Sequence, residues 1–204
     1  MVLEKIKNDK VIAIFRNVPM EKLFKQVDLL IENGIRLLEV TLNSDEALES
    51  ISKLNSRYGD AICLGAGTVT NVEDVEKVKN LGAEFIISPN VNIEVIKETK
   101  RLGLVSIPGA FTPTEIFTAH QNGADMIKVF PASTLGLDFA KSVSGPFPDI
   151  SLMATGGIDE NNAHQYINSG YEAVGIGSSL TSMNLEDMEE VKRKLSLYRE
   201  LQIN

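Results

Sequence analysis

Seven glycines recur along this 204-residue chain at gaps of 25, 23, 21, 20, 22 and 25 residues: Gly34, Gly59, Gly82, Gly103, Gly123, Gly145 and Gly170. Most of them end a helical-looking stretch and precede an apolar one, as in NGIRLLEV, LGAEFIIS, NGADMIKV and SGYEAVGI. A residue that accepts left-handed backbone angles stops a helix, and a buried strand follows directly. Eight runs fit that strand role: VIAIF (11–15), IRLLEV (35–40), AICLG (61–65), EFIIS (84–88), LVSI (104–107), DMIKVF (125–130), ISLMA (150–154) and EAVGI (172–176). They are short, continuous and rich in Ile, Val and Leu, as strands covered on both faces must be.

The segments between them carry helical periodicity. Leu23, Val27, Leu30 and Ile31 form one stripe in 20–33, and Val72, Val75, Val78 and Leu81 another in 71–81, with Asn71 as N-cap. Thr112-Pro113-Thr114-Glu115 reads as a helix start, with a capping hydroxyl, proline at the first position and glutamate at the third. Eight strands alternating with helices predict an α/β chain, a (β/α)8 TIM barrel forming a single domain over 1–204. A short N-terminal lead-in precedes it, and a C-terminal helix runs from about 185. Leu185, Met188, Val191, Leu195 and Tyr198 share one face of that helix, for packing on the barrel's outside or on a neighbouring subunit. An open doubly wound sheet is the competing topology, but it usually has fewer strands at this length.

Composition narrows the function. The formal net charge is −8 and no basic run occurs, which argues against a nucleic-acid partner. The single cysteine, Cys63, excludes an internal disulfide and a thiolate metal cluster. No apolar run approaches the ~18 residues of a membrane span. MVLEKIKNDK lacks the features of a signal peptide, so the expectation is a soluble, cytoplasmic protein acting on a small molecule.

Lys128 is the most informative residue. In DMIKVFP it shares a face with Met126 and Phe130, and Ile127 and Val129 take the other. Both faces of a barrel strand are covered, so its amine is expected to be desolvated. Desolvation lowers a lysine pKa, and a neutral amine can attack a carbonyl to form a Schiff base. The alternative is a snorkelling lysine or a structural ion pair. Glu39 shares a face with Leu37 and Thr41. It either relays protons or only neutralises Lys128. Arg16 closes the first strand and either grips an anion or lies exposed in a loop. ATGGI (154–158) and GIGSS (175–179) follow strands seven and eight, the usual phosphate position in such barrels. The backbone N–H groups of Gly156, Gly157, Gly177 and Ser178 could cradle an anion, or these glycines could serve tight packing alone.

Other motifs are weaker. LGAGTVTN (64–71) lacks the third glycine of a dinucleotide fingerprint. Its Thr68 faces the active end or caps a helix. His120 and His164 have no ligand partner at metal spacing and read as surface residues, so no metal site is expected. Cys63 reads as core.

EVTLNS, GAGTVTN, FIISPN, IPGAFTPTE, IKVFPAS and ATGGI occur together, in order, over about residues 10–180. In this the chain resembles the 2-keto-3-deoxy-6-phosphogluconate (KDPG) aldolase family, which includes 4-hydroxy-2-oxoglutarate (KHG) and 6-phosphogalactonate (KDPGal) aldolases. The resemblance implies a metal-free class I aldolase, usually a homotrimer, with no cofactor beyond the covalent Schiff base. It implies Lys128 as the imine lysine, Glu39 as general acid/base, Thr68 lining the site, and Pro89 and Pro108 shaping the pocket. Thr41, Asn43 and Phe130 join the expected substrate contacts. Many phosphogluconate members carry arginine where this chain has Asn43. The L-N-S form and the S-P-N turn look more like the phosphogalactonate members, in which an arginine at the end of strand one, here Arg16, holds the anion. Thr155 instead resembles the phosphogluconate type, which reads the C4 hydroxyl with that threonine. The expected reaction is reversible cleavage of a 2-keto-4-hydroxy acid to pyruvate and an aldehyde. A phosphate-binding barrel epimerase or isomerase and a non-catalytic phosphosugar-binding protein are the rival readings, and the joint presence of Lys128 and Glu39 argues against both.

Overall fold

The computed structural model describes residues 1–203. The elements run α1 (Val2–Asp9), β1 (Val11–Phe15), α2 (Met20–Glu32), β2 (Leu37–Thr41), α3 (Ala47–Tyr58), β3 (Cys63–Gly67), α4 (Val72–Asn80), β4 (Phe85–Ile87), α5 (Ile93–Arg101), β5 (Val105–Ile107), β6 (Gly109–Ala110), α6 (Pro113–Gln121), β7 (Ile127–Val129), α7 (Ala132–Leu135), α8 (Asp138–Ser144), β8 (Leu152–Thr155), α9 (Ala163–Asn168), β9 (Ala173–Ile176), α10 (Ser178–Thr181) and α11 (Met188–Ile203). All strand pairs are parallel, in the order β5-β4-β3-β2-β1-β9-β8-β7-β6. β5 and β6 are successive pieces of one stave, broken at Pro108, whose carbonyl accepts from Lys128 N–H at 2.9 Å. The N–H of Asp125 reaches Ser106 O at 2.9 Å, which closes the barrel. Each of the eight runs read from the sequence supplies a stave, and the TIM-barrel expectation holds.

Six of the seven periodic glycines have φ between 46° and 105°, as a helix stop requires. Gly145 differs: its φ is −55°, because α8 ends there in right-handed backbone. The cap expectations hold at both sites. Asn71 Oδ1 accepts from Asp74 N–H at 3.0 Å, and Thr112 and Glu115 form a reciprocal capping box.

Residue parity on the strands divides the core into two. Val11, Ala13, Leu38, Ile127 and Val129 point outward into the layer between sheet and helices. Ile12, Leu37, Cys63, Phe85, Met126, Met153 and Ala173 point inward and fill the barrel's floor. The lead-in before β1 is helical, and α1 drives Ile6 into this floor, closing the N-terminal mouth. α11 packs on the chain's own α1, α9 and β1. Its buried stripe is Val191, Leu195 and Tyr198; Met188, expected on that face, is 38% exposed because it stands at the helix start, beyond the covered turns. No helix among the described residues is long and apolar enough to cross a membrane.

Candidate active site

One layer above the apolar floor, the same inward parity delivers Ile14, Glu39, Gly65, Lys128, Thr155 and Gly175. The floor excludes water from below, and the strand C-termini leave the top open. There a cavity of about 470 Å³ is lined by Ile14, Arg16, Lys128, Phe130, Thr155, Gly156, Gly157, Gly175, Gly177 and Ser178, together with Asn17, Ile158, Thr181 and Ser182. Four separate staves, β1, β7, β8 and β9, and the loops after them converge on it.

Lys128 is 5% exposed, and its Nζ lies 4.7 Å from the Phe130 ring centroid. Burial pushes its amine below the usual lysine range; the field of Glu39 works against this and that of Arg16 adds to it. Glu39 is 1% exposed, and its Oε2 has no protein hydrogen-bond partner. Burial raises its pKa, while Lys128 and Arg16 hold it down. Both groups are thereby pushed toward their neutral forms, an amine that can attack and a carboxyl that can give up or take a proton.

Glu39 is held where it is by the absence of a neighbour. A Cβ on Gly67 would lie 1.7 Å from Glu39 Oε1, so the carboxyl rests on the bare Cα of the next strand. Gly175 similarly leaves room for Thr155, whose Oγ1 would be 2.6 Å from a Cβ there. Thr155 is buried, and its hydroxyl has no protein partner. A buried hydroxyl that borders a cavity and bonds no protein group can bond a polar ligand group.

Arg16 is exposed at the rim of the cavity. Its backbone is pinned on both sides. Thr41 Oγ1 donates to Phe15 O at 3.3 Å, and Asn17 N–H donates to Ser44 Oγ at 2.9 Å; the two hydroxyls share a further bond of 2.9 Å. Asn17 takes φ of 52°, a left-handed angle that this bond helps maintain. Thr41 thus supports the rim from beneath and does not line the cavity.

Asn43 is exposed and, like Thr68, Pro89 and Pro108, is absent from the cavity lining. Thr68 takes φ of 57° at the end of β3, and Asn71, not Thr68, caps α4. Pro89 presses on the β5–β6 break: a Cβ on Gly109 would fall 2.5 Å from its carbonyl group. Sequence reasoning missed Ser44 and the placing role of Gly67. The parity of β2 against β3 could have pointed to Gly67; nothing in the sequence pairs Ser44 with Asn17. His120 and His164 are exposed, and Cys63 is buried in the floor.

The KDPG and KHG aldolase family model matches residues 2–195. The chain is 36% identical to the 2-dehydro-3-deoxy-6-phosphogalactonate aldolase of Escherichia coli (strain K12), over 83% of each chain. It is 39% identical to the 2-dehydro-3-deoxy-phosphogluconate aldolase of Pseudoalteromonas atlantica, over 68% of this chain and 64% of that one. A solved structure of Legionella pneumophila KDPG aldolase, with pyruvate captured at low pH as a covalent carbinolamine intermediate, superposes with a TM-score of 0.82 at 27% identity, covering 100% of this chain and 97% of that one. The chain belongs to the KDPG and KHG aldolase family.

Proposed function

We propose that this aldolase cleaves a 2-keto-4-hydroxy acid, 2-keto-3-deoxy-6-phosphogluconate or 4-hydroxy-2-oxoglutarate, to pyruvate and glyceraldehyde 3-phosphate or glyoxylate. The observation that carries the reading is the buried Lys128 amine, with its pKa lowered, opening into the cavity one layer above a sealed apolar floor. Neutral Lys128 Nζ attacks the keto carbon to give a carbinolamine, which loses water to form an iminium. Glu39, through a water, takes the C4 hydroxyl proton; the C3–C4 electron pair passes to the iminium as an enamine, and the aldehyde leaves. The carboxyl returns its proton to C3, and hydrolysis of the imine frees pyruvate. Arg16, pinned at the rim, suits the substrate carboxylate by a two-point contact. Gly156, Gly157, Gly177 and Ser178 suit a terminal phosphate, and Thr155 Oγ1 suits the C4 hydroxyl. Thr68, Pro89 and Pro108 shape the wall behind the cavity lining, and Asn43 leaves the anion contact to Arg16.

The second reading is the galactonate isomer. The position of Arg16 in the cavity lining and the name of the E. coli relative favour it; Thr155 favours the gluconate isomer. The chain acts as one barrel over 1–204, in the cytoplasm, as a homotrimer. The exposed Phe111 and Phe117 are compatible with a subunit contact, and light scattering that reports a monomer removes the trimer. The test of function is pyruvate release, coupled to lactate dehydrogenase, from each of the three substrates. We expect turnover of at least one, and its loss in Lys128→Met; an activity that survives Lys128→Met points instead to an isomerase.

A further inference from the structure

The four-residue α10 carries Ser178 to the cavity, yet a helix this short has little stability of its own. Two sets of polar contacts hold it from outside the cavity. On one side, Gln26 of α2 is 1% exposed and donates through Nε2 to Thr181 O at 2.8 Å and Leu180 O at 3.4 Å, at the far end of α10. Its Oε1 is buried without a protein partner, so the contribution of this amide to the fold lies in what its donor holds.

On the other side, Ser179 of α10 donates to Glu160 Oε2 and shares a 2.8 Å bond with Tyr198 OH. Glu160 lies in the loop after β8 that begins with Gly156 and Gly157. Its Oε1 meets Lys194 Nζ at 3.0 Å, and Tyr198 and Lys194 both come from α11. Burial opposes ionisation of Glu160, but the bonds from Ser179 and Lys194 outweigh it and lower its pKa to about 2. This carboxylate therefore ties the β8 loop, α10 and α11 together, and none of its partners, Ser179, Lys194, Tyr198 and the more distant Arg193 at 3.9 Å, lines the Lys128 cavity.

We propose that Gln26, Glu160, Ser179 and Tyr198 are positioning residues that fix the spacing of the two glycine loops and thereby set the preference for phosphorylated over unphosphorylated substrates. This rests on the reading that these loops hold the substrate phosphate. A loop displaced by a fraction of an ångström loses phosphate contacts, while the imine chemistry of Lys128 on a separate stave is unaffected.

The test compares the wild type with Ser179→Ala, Tyr198→Phe and Gln26→Met on 2-keto-3-deoxy-6-phosphogluconate and on 4-hydroxy-2-oxoglutarate. We expect KM for the phosphorylated substrate to rise about three- to tenfold per variant, with kcat held within about twofold. KM for the unphosphorylated substrate stays within about twofold, inorganic phosphate weakens in parallel as a competitive inhibitor, and Ser179→Thr keeps the wild-type ratio. If one variant fails to fold by circular dichroism, the other two decide. Equal changes for both substrates, or none in either, overturn the proposal. A wild type that shows neither inhibition by inorganic phosphate nor preference for the phosphorylated substrate overturns the phosphate reading itself.

Discussion

Replacing Gly67 by alanine should disable proton transfer while leaving the lysine chemistry in place. The added Cβ would lie 1.7 Å from Glu39 Oε1, 2.5 Å from Cδ and 2.8 Å from Cγ. All three contacts are far inside van der Waals range and the Glu39 side chain is buried, so the carboxyl must leave its present position. With β3 paired to β2 through Glu39↔Gly65 and Thr41↔Gly67, the strands cannot separate to make room. Crowding of this kind in a packed interior costs about 1–3 kcal/mol, which at this chain length lowers Tm by roughly 2–12 °C. The catalytic cost is larger in proportion. A displacement of about 1 Å can cost 100-fold, and loss of a general acid/base costs about 10²–10⁴-fold. We expect kcat for pyruvate release to fall about 100-fold or more, and hydrogen–deuterium exchange at the pyruvate methyl, followed by NMR, to fall with it. Borohydride trapping of pyruvate on Lys128 should persist. Since the two residues act through one contact, Gly67→Ala/Glu39→Gln should be no slower than Glu39→Gln alone, within about threefold. A Gly67→Ala enzyme within about threefold of wild type in both assays, or a double variant showing the product of the two losses, would refute the reasoning.

Ser44→Ala removes the acceptor for Asn17 N–H and should raise KM for every keto-acid substrate about three- to tenfold, with Arg16→Ala costing more; steady-state kinetics decide. Thr155→Val deletes a buried hydroxyl without a protein partner, so thermal stability should hold within about 1 kcal/mol or rise. The same variant should lose about tenfold in kcat/KM on the gluconate substrate and less on the galactonate isomer, which direct comparison of the two tests. Glu160 has a pKa lowered from 4.5 to about 2, so its contribution is full above about 4.5 and is lost as pH falls toward 2. Glu160→Gln should therefore melt below wild type at pH 7, by about 2 kcal/mol for the lost charged hydrogen bonds. The two melting curves should converge on acidification through that window; a constant gap contradicts it.

What the chain discloses by sequence follows from local rules. Glycines that stop helices, and apolar runs after them, are read at their own positions, so every stave was legible. Lys128 and Glu39 stood out because a charged residue inside a strand covered on both faces has few structural reasons to be there. α1 was legible only as a lead-in, since its burial rests on Ile6 entering a barrel floor that exists only after closure. Gly145 shared the spacing but not the left-handed angle, because spacing records where a connection falls and not its backbone form. Gly67 beneath Glu39, Ser44 on Asn17, and Glu160 between two loops and α11 depend on register across strands and on contacts spanning tens of residues. No local pattern encodes those. Asn43 drew attention by its place in a motif, yet it stands outside the cavity lining, and Arg16 from another strand occupies the rim.

The central claim is that Lys128 forms the imine. Incubation with pyruvate, reduction with borohydride and peptide mass spectrometry test it directly. The account predicts a reduced pyruvyl adduct on Lys128 and none in Lys128→Met. No adduct in a folded wild-type protein, or an adduct on another lysine, would contradict it.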